Sequence, residues 1–379
     1  MLSKQDVKRM IADVLRTEAA RCRLDVLAVL EPGQEEDLFT RMPREVLETA
    51  MQKAADLFGY EKRDFSSLDL MADYAFAAWV KNRRLTFFTS GTTGDPKPCV
   101  HTLDMLTEES DGLARLFKNV RRVVALVPAC HLYGFTFTIA LPHTLKVPVV
   151  QLAPLPTQDW EHLLQKGDLL VGFPIFWNYW VRMNVSFPPG VEVVTSTAAC
   201  PPETIKALYQ AGAARVSEIY GATETGVIAF RHQAQEPFEI FPFWEVSTQN
   251  PVLPRIRRQA QPQWQELPDY VSLPGPDKLV LLGRTDEAVQ VAGVKVYPKR
   301  VEKVLLSHPA VKACRVRLMR PDEGNRLKAF IVLNDGYTPE HLGIIRTYLA
   351  RRLSVHEFPR SFTFGSQLPL SALGKDADW

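Results

Sequence analysis

A chain of 379 residues with 45 basic and 43 acidic side chains has a formal net charge of only +2, and its hydrophobic (46%) and charged (23%) fractions match the averages of globular proteins. That balance excludes wholesale disorder, a fibrous repeat and a coiled coil. It also leaves no electrostatic footprint for nucleic acid, since the basic pairs Arg83-Arg84, Arg121-Arg122 and Arg351-Arg352 are isolated. The five scattered cysteines include no Cys-x-x-Cys pair, which argues against a disulfide framework or a structural zinc site. The first ten residues lack the apolar core of a signal peptide, so the cytoplasm is the expected compartment.

The first eighty residues predict helices. Ser3 and Asp6 form a capping-box pattern ahead of Val7, Met10, Ile11, Val14 and Leu15 at helical spacing. A second stripe runs through Val46, Leu47, Ala50, Met51, Ala54, Leu57 and Phe58, and a third through Leu70, Met71, Tyr74 and Trp79; packing against a sheet is the expectation for all three. From Leu85 the pattern changes to short apolar runs (LTFFT, VVALVP, VPVVQLA, DLLVGFP, VEVVTST, ARVSEIY) separated by helical stretches. This predicts an α/β protein with a mostly parallel sheet flanked by helices, and chemistry just beyond the carboxyl end of each run. The uncharged stretch from Val123 to Pro142 is interrupted by Pro128, His131 and Gly134, and reads as a buried strand plus helix, not a membrane span. Gln233 to Asp269 is dense in Gln and Pro and reads as a loop-rich connector or a small β piece. A fresh α+β pattern follows Gly283-Arg284. The expected domains are therefore 1–283, with 1–80 mainly helical, and a small C-terminal domain of 284–379.

Four segments carry chemistry. Thr89-Ser90-Gly91-Thr92-Thr93-Gly94-Asp95-Pro96-Lys97 follows the run LTFFT; its glycines permit close backbone approach, and its hydroxyls and lysine suit a polyphosphate. By composition alone, an ordinary surface turn explains it equally well. The Walker ending is missing. Tyr220-Gly221-Ala222-Thr223-Glu224-Thr225 follows ARVSEIY and offers a stacking face, a hydroxyl and a carboxylate, or simply a capped helix start. Gly283-Arg284-Thr285-Asp286 precedes Val291-Ala292-Gly293-Val294-Lys295, and Ser371-Ala372-Leu373-Gly374-Lys375 lies near the end of the sequence.

In this order the four segments resemble the signature of the adenylate-forming superfamily (acyl-CoA synthetases, nonribosomal-peptide adenylation domains and luciferases), and in length the chain is similar to compact aryl-CoA ligases. Pro128 to Gly134 (PACHLYG) and Thr195-Ser196-Thr197-Ala198-Ala199 match weaker family segments between them. The resemblance implies ATP-dependent activation of a carboxylic acid to an acyl-adenylate with release of pyrophosphate, then acyl transfer to a thiol, with a small C-terminal domain that swings between the two half-reactions. It implies that Thr89 to Gly94 (Thr89, Ser90, Gly91, Thr92, Thr93, Gly94) and Lys97 close over the phosphates of ATP. Thr223 would contact the phosphates, Glu224 would hold Mg²⁺, and Tyr220 with Gly221 would face adenine against Ser196, Thr197 and Ala198. Arg284 and Asp269 would reach the ribose, Asp286 would form the hinge, and Lys375 would bridge carboxylate and phosphate. His131 would border the acyl and thiol channel, although a core histidine is the plainer reading. Gly293 and Lys295 would line the thiol tunnel.

The expected acid pocket, His131, Tyr133, Phe135, Phe173, Trp177, Ala198 and Gly226, is apolar and aromatic, without an aspartate to hold an α-amino group. An aromatic acid is the first expectation and a fatty acid the alternative. CoA and the phosphopantetheine of an acyl carrier protein remain open as acceptors. The chain departs from the family in its short region before the loop, in Pro98 where glycine is common, in Gln290 where lysine is common, and in a rewritten 233–267 connector. Those departures keep a second possibility open, a degenerate non-catalytic nucleotide- or acyl-binding protein. Retention of Thr223, Glu224, Arg284 and Lys375 argues against it.

Overall fold

The computed structural model describes residues 2–22, 39–90, 96–152, 160–247, 249, 254–284, 288–320, 322–369 and 379. By contacts the chain divides into two compact units, the first made of Met1–Thr89 with Lys97–Gly283 and the second carrying Arg284–Trp379.

The first unit opens with three helices, α1 (Lys4–Arg21), α2 (Arg44–Phe58) and α3 (Leu68–Asn82). The capping box forms as expected: the Asp6 backbone N–H donates to Ser3 Oγ at 3.2 Å, and the Ser3 N–H donates to the Asp6 carboxylate at 2.8 Å. The helices pack mainly on one another, burying Val7, Met10, Ile11, Met51, Phe58, Met71 and Trp79 in one cluster. In α3 the buried face runs through Leu68, Met71, Ala72, Ala75 and Trp79. Leu70 and Tyr74 point outward instead, at 53% and 39% exposure. Tyr74 finds its partners in Tyr60 and Phe65, with ring centroids at 5.2 and 5.8 Å, and in the Arg63 guanidinium stacked on its face.

Next come β1 (Arg84–Ser90) and β2 (Pro96–Thr102), then α4 (Leu103–Leu116). The run LTFFT pairs with β2 alone in a two-stranded sheet and does not enter the main one. Five residues separate the two strands, too few for a crossover to a parallel neighbour.

The main sheet has nine strands. Five are parallel: β3 (Arg122–Ala125), β4 (Val149–Gln151), β5 (Asp168–Gly172), β6 (Glu192–Thr195) and β7 (Arg215–Ala222). Between β3 and β4 the chain forms α5 (Leu132–Phe135), a π-helical turn over Thr136–Ala140, and α6 (Leu141–Leu145). The crossovers then carry α7 (Trp160–Leu163), α8 (Pro174–Arg182) and α9 (Pro202–Gln210). From β7 only Thr223 to Thr225 lead into β8 (Gly226–Arg231), so β8 turns back antiparallel, and β9 (Phe238–Ile240) pairs antiparallel with it. β13 (Asp269–Gly275) and β14 (Lys278–Arg284) complete the order β13-β14-β9-β8-β7-β6-β5-β3-β4.

Strand β5 is buried throughout, and alternation along it sends Leu169 and Val171 to one core with Leu113, Phe117 and Phe137. Leu170 goes to the other face with Trp177, Ile205 and Leu208, so helices cover both sides. The Gln- and Pro-rich connector proves to be a small β piece in part: β10 (Trp244–Val246), β11 (Arg255–Arg258) and β12 (Gln265–Glu266) form an antiparallel sheet of their own.

The second unit begins with the hairpin β15 (Val289–Val291) and β16 (Val294–Val296), turned by Ala292 at φ 53° and Gly293 at φ 80°. Helix α10 (Pro298–Leu306), β17 (Val311–Leu318), β18 (Leu327–Leu333), α11 (Leu342–Ala350) and β19 (Ser361–Phe364) follow. Val301, Leu305, Ile331, Ile345 and Leu349 form its core against the sheet β17-β18-β19. Among the described residues no helix is long and apolar enough to cross a membrane.

Candidate active site

Because β3, β5, β6 and β7 are parallel, the segments that follow them emerge at one edge of the sheet. These segments are Pro128–Gly134, Phe173, Ser196–Ala198 and Thr223–Glu224, with Tyr220 near the end of β7 itself.

Pro128–Gly134 folds into a tight wrap. A Cβ at Gly134 would come within 1.9 Å of the Pro128 carbonyl oxygen, so no larger residue fits there. The buried Asp13 carboxylate of α1 accepts from the Ala129 backbone N–H at 2.7 Å and from Gln151 Nε2 at 3.1 Å. Arg9 of the same helix donates to the Thr138 hydroxyl at 2.7 Å and to its carbonyl at 3.0 Å, inside the π-helical turn. The N-terminal helix thus clamps this segment on both sides of His131. The His131 ring is open to solvent yet walled by protein elsewhere, and that desolvation depresses its pKa below the ordinary histidine value. The Tyr133 hydroxyl donates to the carbonyls of Gly172 (3.0 Å) and Val194 (3.2 Å), which ties the ends of β5 and β6 together. Burial raises its pKa well above the usual value, so it remains a donor. Tyr133 and Phe173 meet at 5.9 Å between ring centroids. Phe135 and Trp177 are fully buried in two different clusters, Phe135 against Phe87 and Trp177 against Trp180, and the structure does not bring them together.

Ser196 Oγ donates to the Ile219 carbonyl at 2.9 Å, fastening the end of β6 to β7. Thr197 adopts φ 74°, a left-handed conformation that is costly for a β-branched residue. Ala198 is half-buried beside it. The Tyr220 hydroxyl donates to the buried Asp269 carboxylate at 2.9 Å, so these two expected nucleotide residues are in contact. Arg284 closes β14, the strand next to β13, which Asp269 opens.

The turn from β7 to β8 is held from below. The buried Thr225 hydroxyl donates to the Gly226 carbonyl (3.0 Å) and accepts from the Ala222 N–H (3.2 Å). His101 of β2 sets its Nε2 2.7 Å from the Thr223 carbonyl. Arg258 of β11 donates to the Thr225 carbonyl (3.0 Å), to Glu109 (3.0 Å) and to Glu108 (2.9 Å). Its guanidinium stacks on Phe243 and Trp244. Glu109 also accepts from the Val227 N–H (3.1 Å) and the Thr136 hydroxyl (2.9 Å). One buried carboxylate therefore links the π-helical turn below His131 to the strand after Glu224. Gly226, at φ 80°, leaves room for it, since a Cβ there would lie 2.1 Å from Glu109 Oε2.

Glu224 itself is exposed, and its carboxylate makes no salt bridge to a described residue. Among the described residues no group of three or more metal-ligating side chains occurs, and Mg²⁺ ordinarily binds through one or two carboxylates together with phosphate oxygens and water.

Thr89 is buried at the end of β1, and Lys97 is exposed on β2. Gly91, Thr92, Thr93, Gly94, Asp286 and Lys375 lie outside the described residues, as do the side chains of Ser90, Arg284 and Lys295. Asp13, His101, Glu109 and Arg258 were not expected from sequence. For Arg258 a signal existed, an arginine in alternation with Ile256 on a short strand, but it reads equally as a surface cluster. The cysteines Cys200 and Cys314 are buried with thiols pushed up to about 12, which suits packing and not nucleophilic chemistry.

Comparison with known proteins bears on this arrangement. The family described as AMP-binding enzyme matches residues 18–249, and the AMP-binding enzyme C-terminal domain matches 300–375. A 4-coumarate–CoA ligase from Cereibacter sphaeroides is 35% identical over 301 residues, covering 78% of this chain and 71% of the relative. Another from Rhodobacter capsulatus is 31% identical over 401 residues and covers 98% of this chain and 100% of the relative. Among solved structures, an o-succinylbenzoate CoA synthetase mutant from Bacillus subtilis aligns with a TM-score of 0.65 at 19% identity, over 77% of this chain and 67% of that one. An amide bond synthetase from Marinactinospora thermotolerans aligns at 0.63 and 21% identity, with the same coverage, and at such identities both likenesses speak to the fold. The chain belongs to the AMP-binding enzyme family and is an AMP-forming acid–thiol ligase of the acyl-CoA synthetase type.

Proposed function

We propose that this enzyme activates a hydrophobic, aromatic carboxylic acid with ATP and transfers the acyl group to CoA. The observation that carries the reading is the convergence of His131, Tyr133, Phe173, Ser196–Ala198, Tyr220, Thr223 and Glu224 at one edge of the parallel strands. The curated relatives named as CoA ligases of an aromatic acid support it. The aromatic pair of Tyr133 and Phe173 beside His131 favours a planar apolar carboxylate.

In this reading a carboxylate oxygen of the acid bonds to the α-phosphorus of ATP as the bond to the β-phosphate breaks, and pyrophosphate leaves. Thr223 binds the phosphates, and Glu224 holds Mg²⁺, which when bound neutralises charge on them. Tyr220, pinned by Asp269, and the Ser196–Ala198 segment hold the adenosine side, with Arg284 at the ribose. Lys375, on the small domain of 284–379, supplies its ammonium to the developing charge. The thiol sulfur then bonds to the acyl carbon and AMP leaves, after the small domain has turned at Asp286 to bring Gly293 and Lys295 to the thiol arm. A carrier-protein phosphopantetheine is the other acceptor with the same chemistry.

The test is pyrophosphate release with ATP, Mg²⁺ and a panel of aryl, fatty and amino acids, followed by addition of CoA or carrier protein. Release dependent on aryl acids, with a thioester formed only on CoA, is the expected result. Lys375→Ala is expected to slow adenylate formation by about 10²-fold or more while transfer from supplied acyl-adenylate persists. Equal loss of both halves would remove Lys375 from its assigned role.

A further inference from the structure

His101 does not belong to any of the segments that suggested the chemistry, and its environment is unusual for a core residue. The ring is 1% exposed, sits edge-on to Phe87 at 5.9 Å, and places Nε2 2.7 Å from the Thr223 carbonyl oxygen. A carbonyl oxygen only accepts, so Nε2 carries the proton and donates. The opposite nitrogen, Nδ1, is buried with no hydrogen-bond partner. The ring is therefore oriented by a single polar contact, the one its Nε2–H makes to the Thr223 backbone. Burial depresses its pKa below the ordinary histidine value, opposing the Thr223 bond that raises it, and Glu109, Arg258 and Glu224 are the charges that act on it. A leucine or phenylalanine would fill such a site without leaving a bare polar atom.

The carbonyl that His101 holds is one of two that are clamped. Arg258 holds the carbonyl of Thr225, and Glu109 fixes the N–H of Val227 two residues on. The backbone on both sides of Glu224 is thus tied to buried donors, and the Glu224 carboxylate is the part left exposed.

We propose that His101 is a positioning residue: its Nε2–H fixes the Thr223 carbonyl and so sets the face that the Thr223–Glu224 turn presents to the triphosphate and its metal. The inference rests on the assignment of Thr223 and Glu224 given above. It predicts a role confined to the first half-reaction, because transfer from a preformed acyl-adenylate involves neither the triphosphate nor pyrophosphate departure.

The experiment compares His101→Leu, His101→Asn and His101→Gln with Phe87→Leu, a change to the same packing that touches no turn atom. Gln carries its amide nitrogen near the Nε2 position, whereas the Asn amide reaches only as far as Nδ1. The expected result is that Leu and Asn lower kcat of pyrophosphate release about tenfold and raise the Mg²⁺ concentration for half-maximal rate, the scale of one lost oriented hydrogen bond. Gln restores both, Phe87→Leu alters neither, and the KM for the acid and the transfer half-reaction stay unchanged throughout. Wild-type Mg²⁺ dependence in Leu and Asn would overturn the inference, and so would Gln behaving like Asn, or Phe87→Leu reproducing the defect. Glu224→Gln separates the two layers. If it leaves Mg²⁺ dependence unchanged, the assignment of the turn fails and the inference with it. If it shifts that dependence while the Leu and Asn variants do not, the inference alone fails.

Discussion

Two charged clusters, one in each unit, are built from the same parts and placed in different surroundings. In the first unit Arg258 pairs with Glu109 and stacks on Trp244, and the two charged side chains are 1% and 2% exposed. In the second, Glu323 pairs with Arg317 and Lys328 while the Arg317 guanidinium lies over the Trp379 ring at 5.0 Å, but Glu323 and Arg317 are 21% and 22% exposed. Cation, carboxylate and aromatic face recur; water is what differs. In the interior each charge has given up its hydration and depends wholly on its partners, so loss of one strands the other. At the surface, water takes over whatever a partner releases. The buried cluster is therefore a device for holding backbone in place. The more open one decorates a sheet that its own core already holds.

Single substitutions break this contrast in graded steps. Arg258→Met leaves the Glu109 charge buried without its counterion, and about 3–5 kcal/mol of unfolding free energy should disappear. Urea midpoints read it, and adding Glu109→Leu should return only part, because Val227 N–H and the Thr136 hydroxyl then lose their acceptor. An unchanged midpoint in Arg258→Met would show that water reaches the pair. Asp13→Ala comes next. The carboxylate is buried but pairs with a half-buried Arg16 at 3.2 Å, and its loss orphans the Ala129 N–H, at a cost of about 1–3 kcal/mol. Pyrophosphate release should fall with it, since the His131 segment loses its tether.

Glu323→Ala should have the smallest effect, a small but measurable lowering of the thermal midpoint at neutral pH. Its signature lies in acid. The Lys328 bond, the Arg320 N–H and Arg317 hold the Glu323 carboxyl down at about 2. A depressed carboxylate stabilises above its ordinary value and loses that contribution as pH falls toward the folded one. Wild type and variant should therefore converge in midpoint as the solution is acidified from about pH 5 toward pH 2.

The same contrast explains what could be read from residues alone. Fold class, the strand runs and the segments that follow them were legible, because strand periodicity and glycine- or hydroxyl-rich turns are local properties. The misplacement of LTFFT in the main sheet and the outward turn of Leu70 and Tyr74 have a common cause. A strand or a stripe looks alike whichever surface it packs on, and the partner is chosen by elements distant in sequence. The clamp was illegible for the same reason: Asp13, His101, Glu109 and Arg258 act on backbone 33 to 122 residues away. An isolated Arg in Arg255-Ile256-Arg257-Arg258 gives no hint of which of its neighbours is buried.

Strand β7 has four strands on either side of it in the nine-stranded sheet. The turn that carries Thr223 and Glu224 therefore grows from the element with the most pairing around it, a strand whose own ladder amides exchange with solvent only when the middle of the sheet opens. The segments that follow β3 and β5 grow from strands nearer the edge, where a change in one strand disturbs fewer neighbours. Substitutions in the segments after β3 and β5 can then accumulate while the turn of Thr223 and Glu224 stays unaltered, a division imposed by strand order.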